Sequence, residues 1–257
     1  MKASIFLGYD GRETEAFVVA RRSMRRYAPG IPIDAICIDD MRDLGLYTRP
    51  TTRRDGRLWD VISEAPMSTE FAVSRFLTPH LAKSEWALFA DCDVLARAPL
   101  NELFAQADPK YAVMCVKHKH EPKLGLKMDG QEQTRYARKN WSSVMLFNCA
   151  HPANEKLTVD LVNTVPGRDL HRFCWLKDKD IGALDPSWNF LVGHTDPAID
   201  PKLAHFTEGG PWLPEYRDVP FAGEWLEERR GWLEEEARIP GRPTTYGSKF
   251  NGTGVHP

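Results

Sequence analysis

Apolar and polar residues fall into short blocks that alternate along the chain. Residues 3–8, Ala-Ser-Ile-Phe-Leu-Gly, predict a buried strand ended by Gly8. Residues 13–28 predict a helix, with Glu13 and Glu15 early and Arg21, Arg22, Arg25 and Arg26 late, as the helix dipole favours. Pro29-Gly30 stops it, and residues 33–38 predict a second strand. A strand–helix–strand order this early points to a parallel α/β sheet. Residues 40–67 read as polar and irregular, with a turn at 53–56. A helix over 69–82 is followed by an apolar strand at 86–90 and a short helix from Pro99. Strands at 111–116 and 143–148 flank a polar stretch, a helix is expected over 153–165, and a Trp- and Glu-rich amphipathic helix over 221–238. No internal repeat interrupts this order.

Composition narrows the class. Hydrophobic residues make up 42% and charged residues 27% of 257 positions, enough apolar material for a core. The net charge of −2 lacks the basic footprint of a nucleic-acid or anionic-membrane partner. Cysteines 37, 92, 115, 149 and 174 are scattered, odd in number and without a Cys-x-x-Cys, which fits a reducing compartment and a cytoplasmic location. The apolar run near the N-terminus is too short for a signal sequence, and no run approaches the roughly 18 apolar residues of a membrane span. The sequon Asn251-Gly252-Thr253 carries little weight without a secretion signal. The expected layout is one α/β domain over 1–220, the helix at 221–239, and a Gly- and Pro-rich, poorly ordered tail over 240–257.

Candidate chemistry enters at the end of the strand 86–90, where Asp91 and Asp93 stand with one residue between them. Asp-x-Asp occurs twice, at 91/93 and 178/180, which is about what chance gives. Position separates the two. Residues i and i+2 of an extended segment share a face, so Asp91 and Asp93 point together at the carboxyl end of a buried strand, with Cys92 turned away. Ligands of open α/β sheets bind at that edge. Two hard oxygen donors there suit Mg²⁺ or Mn²⁺, above all one shared with a diphosphate.

The stretch SRFLTPHLAKSEWALFADCDVLARAPLNELF resembles the central block of glycosyltransferase family 8, whose members have a GT-A fold and use nucleotide sugars. Further segments are similar in the same order. IFLGYD looks like the family's first strand, SSVMLFN (142–148) its Asn-Ser-Gly-Val-Met-Leu-x-Asn strand, and DKDIGALDPSWNF (178–190) its Asp-Gln-Asp and Trp-Asn segment. LAHFTEGGPW (203–212) resembles its His-Tyr-x-Gly-x-x-Lys-Pro-Trp. The resemblance implies a GT-A, Rossmann-like mixed sheet flanked by helices. It also implies a hexosyltransferase that takes its sugar from a nucleotide diphosphate sugar, a UDP-sugar above all, with retention of configuration. It gives Asp91, Asp93 and His205 to a Mn²⁺ (or Mg²⁺) ion, and Gly8, Tyr9, Asp10, Arg75, Ser142 and Ser143 to the nucleotide sugar. Asp178, Lys179 and Asp180 would be catalytic, beside the sugar. The acceptor, whether a glycan, a lipid-linked molecule or a small molecule, stays unnamed.

Three departures qualify this. The family's diphosphate-binding Lys is absent, with Gly209-Gly210 before Pro211-Trp212 in a segment one residue shorter. Trp141-Ser142-Ser143 replaces Asn-Ser-Gly, and Lys179 replaces Gln. The stretch 117–140 holds seven Lys or Arg against three acids and is expected to act as a lid that brings cations to the diphosphate. Two rival readings stand. LFADCDVLA also resembles the nucleophile motif of haloacid dehalogenase phosphatases, with Asp91 as nucleophile, and the changed Lys and Gln would suit a non-catalytic nucleotide-sugar-binding protein.

Overall fold

A computed structural model of the chain describes residues 2–54, 56–118, 138 and 140–238. The expected lid over 117–140 falls almost wholly outside these residues, as do the 240–257 tail and the sequon.

Strands β1 (Ala3–Gly8), β2 (Ile33–Ile36), β3 (Thr51–Arg54), β4 (Arg57–Asp60), β5 (Ala65–Pro66) and β6 (Trp86–Ala90) come first in the chain. They are followed by β7 (Val94–Ala96), β8 (Val113–Cys115), β9 (Val144–Asn148), β10 (Ile181–Ala183), β11 (Phe190–Leu191) and β12 (Leu203–His205). The helices are α1 (Thr14–Tyr27), α2 (Ile38–Asp43), α3 (Thr78–Leu81), α4 (Asn101–Phe104), α5 (Val159–Thr164), α6 (Gly167–His171) and α7 (Ala222–Ala237).

The main sheet has six strands in the order β10-β8-β9-β6-β1-β2. All are parallel except β9, which runs against both its neighbours. Strand β6 lies at the centre and every one of its residues is buried, as a strand covered on both faces requires. The result is a single α/β domain with a mixed sheet between helices, the architecture the sequence predicts.

Two small sheets complete the domain. In one, β11 is parallel and β7 antiparallel to the central β12. In the other, β3, β4 and β5 form an antiparallel ribbon. The ribbon is tied to the α5–α6 region by a fully buried pair. Arg49 grips Asp60 with Nε at 3.1 Å and Nη2 at 2.5 Å, while its Nη1 donates to the carbonyls of Val162 and Val165.

Several elements differ from expectation. Residues 40–67 are not irregular: they contain the end of α2 and the ribbon, with the chain reversing near Gly56, whose φ of +76° suits glycine. The helix expected over 69–82 is a 3₁₀ turn, Ser74–Leu77, continued by the single turn of α3. The helix expected over 153–165 is split, because Thr158 caps α5 through its own side chain and ends the preceding 3₁₀ segment. Helix α7 buries only Ala222, Trp225 and Glu228. Its inner stripe therefore includes a carboxylate, which Arg22 and Arg26 of α1 neutralise.

Candidate functional site

Strand β6 ends at Ala90, and the chain then crosses from the main sheet into β7 of the small sheet. Asp91, Cys92 and Asp93 are the crossing. The crossing is held at both ends by backbone bonds: Asp91 N–H donates to the Ser143 carbonyl at 2.9 Å, and the Asp93 carbonyl accepts from Phe206 N–H at 2.9 Å. The second bond follows from register, since β12 places His205 opposite Val94. A histidine 112 positions downstream of Asp93 thus arrives beside it because two three-residue strands pair.

Asp91, Asp93 and His205 each offer a ligand atom, and these atoms lie within 4.8 Å of one another. Donors on opposite sides of one ion at about 2.0–2.6 Å stand about 4.0–5.2 Å apart, so three atoms this close together can share one. Cys92, between the two carboxylates, is buried, and its thiol donates to Glu13 Oε2 at 3.5 Å.

Each member of the trio has a fixed surrounding. Asp91 Oδ1 is 2.7 Å from Nη1 of Arg75, off the angle of a hydrogen bond. A carboxylate has two oxygens, so this pairing does not exhaust it. Arg75 is itself buried, donates to the Ser142 carbonyl at 2.9 Å, and lies 5.1 Å from the ring centres of Phe71 and Phe89. Asp93 Oδ1 is 3.1 Å from His205 Nε2, again without hydrogen-bond alignment. The side chains of Asp91 and Asp93 keep 15% and 17% of their surface exposed, against 3% for His205, so the carboxylates open the cluster to solvent.

The electrostatics are those of a site short of positive charge. Burial pushes the Asp91 carboxyl up to about 6, against the pull of Arg75 and with the push of Asp93. Burial also raises Glu13, to about 7, and the charge of Asp93 adds to it. For Asp93 burial acts upward too, but the imidazolium of His205 outweighs it and holds the carboxyl low. Burial opposes the charge on His205, and the two carboxylates overcome this and raise it. Two carboxylates about 4 Å apart repel by about 4 kcal/mol at an effective dielectric near 20. A cation relieves that, and two carboxylates with one neutral imidazole suit Mn²⁺ or Mg²⁺. The residues fit a divalent ion.

The other expected site residues divide. Ser142 and Ser143 lie behind the cluster: Ser142 Oγ is 2.6 Å from Nδ1 of His171, and Ser143 Oγ donates to the Asn140 carbonyl at 2.8 Å. At Gly8 a Cβ would sit 2.3 Å from the Phe71 ring, so glycine is required there by packing. Tyr9 stacks edge-on against Phe17 and bonds Thr14. Asp10 is buried and committed to Arg12 and to the Glu70 N–H. Asp178, Lys179 and Asp180 are not brought to the cluster. Their turn precedes β10, at the amino end of a strand parallel to β6, whereas the trio follows the carboxyl end of β6. Asp178 is 92% exposed and pairs with Arg138.

Two further residues stand beside the site. Glu13 reaches it only through the fold. Asn189, fully buried, bonds Nδ1 of His205 through Oδ1 at 2.9 Å, and the sequence marks it only as half of the Trp188-Asn189 pair.

Comparison with known proteins agrees with this architecture. No protein-family model matches the chain. Protein CDI of Arabidopsis thaliana is 44% identical over 241 residues, spanning 91% of this chain and 88% of that protein. The chain belongs to the family of Protein CDI. Among solved structures it is similar to the apo form of the glycosyltransferase GlyE of Streptococcus pneumoniae TIGR4, at 16% identity and a TM-score of 0.56, covering 91% of this chain. It spans 64% of that GlyE chain, less than two thirds of its length. It is also similar to the galactosyltransferase LgtC in complex with donor and acceptor sugar analogues, at 16% identity and a TM-score of 0.52, covering 89% of this chain and 95% of that one. At these identities the likeness establishes the fold, which is GT-A. The phosphatase reading finds no support in it. Among the described residues, no helix is long and apolar enough to cross a membrane.

Proposed function

We propose that the chain is a metal-dependent glycosyltransferase that moves a hexose from a nucleotide diphosphate sugar, a UDP-sugar, to an acceptor. The observation that carries this reading is the convergence of Asp91, Asp93 and His205 at the carboxyl end of the central strand of a GT-A fold. Those three residues would hold Mn²⁺ or Mg²⁺, which neutralises charge on a departing diphosphate. Without a cation, Asp91, Asp93 and Glu13 would repel that diphosphate; this is why donor binding should require metal. Arg75 would support the site through Nη1, which faces Asp91 and donates to the Ser142 carbonyl. Retention of configuration and a cytoplasmic location complete the proposal; both come from the sequence resemblance and composition.

Calorimetry of UDP with Mn²⁺, with EDTA, and with Asp93→Asn tests it. We expect binding that falls at least about 100-fold in EDTA and in the variant, equivalent to about 2.7 kcal/mol. Equal binding with and without metal would sink the assignment. Binding that requires metal, with no transfer or hydrolysis of any nucleotide sugar, would favour the non-catalytic binder.

A further inference from the structure

Asn189 ends the 3₁₀ turn Pro186–Asn189, which Asp185 caps by accepting from Ser187 N–H at 2.9 Å. Its side-chain amide is used on both sides. Nδ2 donates to Ser143 Oγ at 2.9 Å and to the Asn140 carbonyl at 3.3 Å, and Oδ1 faces His205 Nδ1 at 2.9 Å. The hydroxyl proton of Ser143 goes to the Asn140 carbonyl, 2.8 Å away, so Ser143 Oγ can only accept from the amide. A carbonyl cannot donate. These two acceptors therefore orient the amide, with Nδ2 toward Ser143 and Oδ1 toward the ring. An amide oxygen facing a ring nitrogen at 2.9 Å requires that nitrogen to carry hydrogen.

We propose that Asn189 is a positioning residue that fixes the neutral His205 ring as the Nδ1–H tautomer, which leaves the Nε2 lone pair for a cation shared with Asp93 and Asp91. This rests on the reading of that trio as a cation site. The chain of bonds gives Ser143 a role other than contact with the nucleotide sugar. Its backbone carbonyl holds Asp91 N–H while its hydroxyl anchors the amide that sets His205, so one residue of the 3₁₀ turn Trp141–Ser143 braces two of the three ligands. Asn140, whose carbonyl receives both bonds, holds the left-handed φ of +63° that asparagine tolerates. Outer partners of this kind change metal affinity by about 10–100-fold when removed.

The test has two arms on the full chain. In the metal-free wild type, at a pH where the ring is neutral, ¹⁵N NMR of His205 should show the proton on Nδ1; an Nε2–H ring would overturn the proposal. Calorimetry with Mn²⁺ alone then compares variants. Asn189→Leu removes the acceptor at similar volume and should weaken Mn²⁺ binding about 10–100-fold, whereas Asn189→Asp keeps an acceptor, to which the Ser143 hydroxyl can turn and donate, and should bind no more than about threefold more weakly than the wild type. Loss in both variants would make the effect one of packing and overturn the proposal, as would wild-type affinity in Asn189→Leu. If the wild type binds no Mn²⁺, the metal reading fails by itself, while the NMR arm still decides whether Asn189 sets the tautomer.

Discussion

The chain contains Asp-x-Asp twice, and the two copies share more than their letters. Each has an arginine on its first aspartate, Arg75 on Asp91 and Arg138 on Asp178. Yet Asp91 is 15% exposed and its arginine 5%, while Asp178 is 92% exposed. The first copy follows the central strand, and a second sheet delivers His205 to it. The second is a surface turn ahead of an edge strand. An acidic pair thus acquires chemical meaning from the strand that ends in it and from what the fold brings opposite, neither of which is local.

The largest contrast between the copies should appear in stability. Arg75→Met strips the buried cation from Asp91 and leaves a carboxylate without its partner in a site of raised pKa. Breaking a buried pair in this way costs about 3–5 kcal/mol. Asp178→Asn removes one partner of an exposed pair and should change stability by no more than about 0.5 kcal/mol. Denaturant midpoints at pH 7, in EDTA, measure both. A small effect of Arg75→Met would mean that water reaches the guanidinium and that Asp91 is not the buried member of the comparison.

Much of this contrast was readable beforehand, and the unreadable part has a physical cause. Strands β1, β6 and β9 are largely apolar, buried runs of five or six residues, long enough to announce themselves. They fix the main sheet and hence the place of Asp91 and Asp93. By contrast β7, β11 and β12 are two or three residues long, and no periodicity can be read over that length. His205 reached the candidate site through a family likeness, since nothing local predicts the pairing that delivers it. Helix α2 was missed because only Ile38 and Met41 are buried in an otherwise acidic segment. The β3–β4 ribbon was missed because β3 is mostly exposed, β4 is only partly buried, and neither alternates. Asp178–Asp180 shows the reverse case: the local match to the family is good, but the turn precedes β10, which runs parallel to β6, so it stands at the amino end of its strand while the trio follows the carboxyl end of β6.

A second, smaller contrast concerns pH. Glu13 is raised to about 7 by burial and then by Asp93, although the Cys92 thiol opposes this. A carboxyl whose folded pKa lies above its unfolded value favours folding while protonated. Its contribution is present below about 4.5 and is lost as pH rises through about 7. Glu13→Gln should therefore melt at the wild-type temperature near pH 4 and above it at pH 8. Mn²⁺ bound at the trio should lower the Glu13 pKa and reduce the gap at pH 8. No surface acid of the second copy should give such a crossover; a gap that is the same at both pH values would mean that Glu13 stays ionised throughout.

The smallest expected effect is the sharpest test of the comparison, because it asks for none. If position decides function, changes in the second copy should leave the first untouched. Lys179→Gln restores the family's residue, and Asp180→Asn removes the carboxylate that accepts from the Lys177 N–H at 3.3 Å. Both act at the amino end of β10, across the sheet's strand direction from the cluster. Lys179 is exposed and Asp180 partly so, and long-range Coulomb terms there are screened over about 8–10 Å in physiological salt. UDP and Mn²⁺ affinities of both variants, measured by calorimetry, should lie within about twofold of the wild type, under half a kcal/mol. Turnover is the stricter readout. The family likeness puts this segment beside the donor sugar, so a selective loss of rate in Lys179→Gln with unchanged UDP binding would show that the turn reaches the sugar after all. The two copies would then be parts of one site, with the separation seen along the strands closed by the donor lying between them.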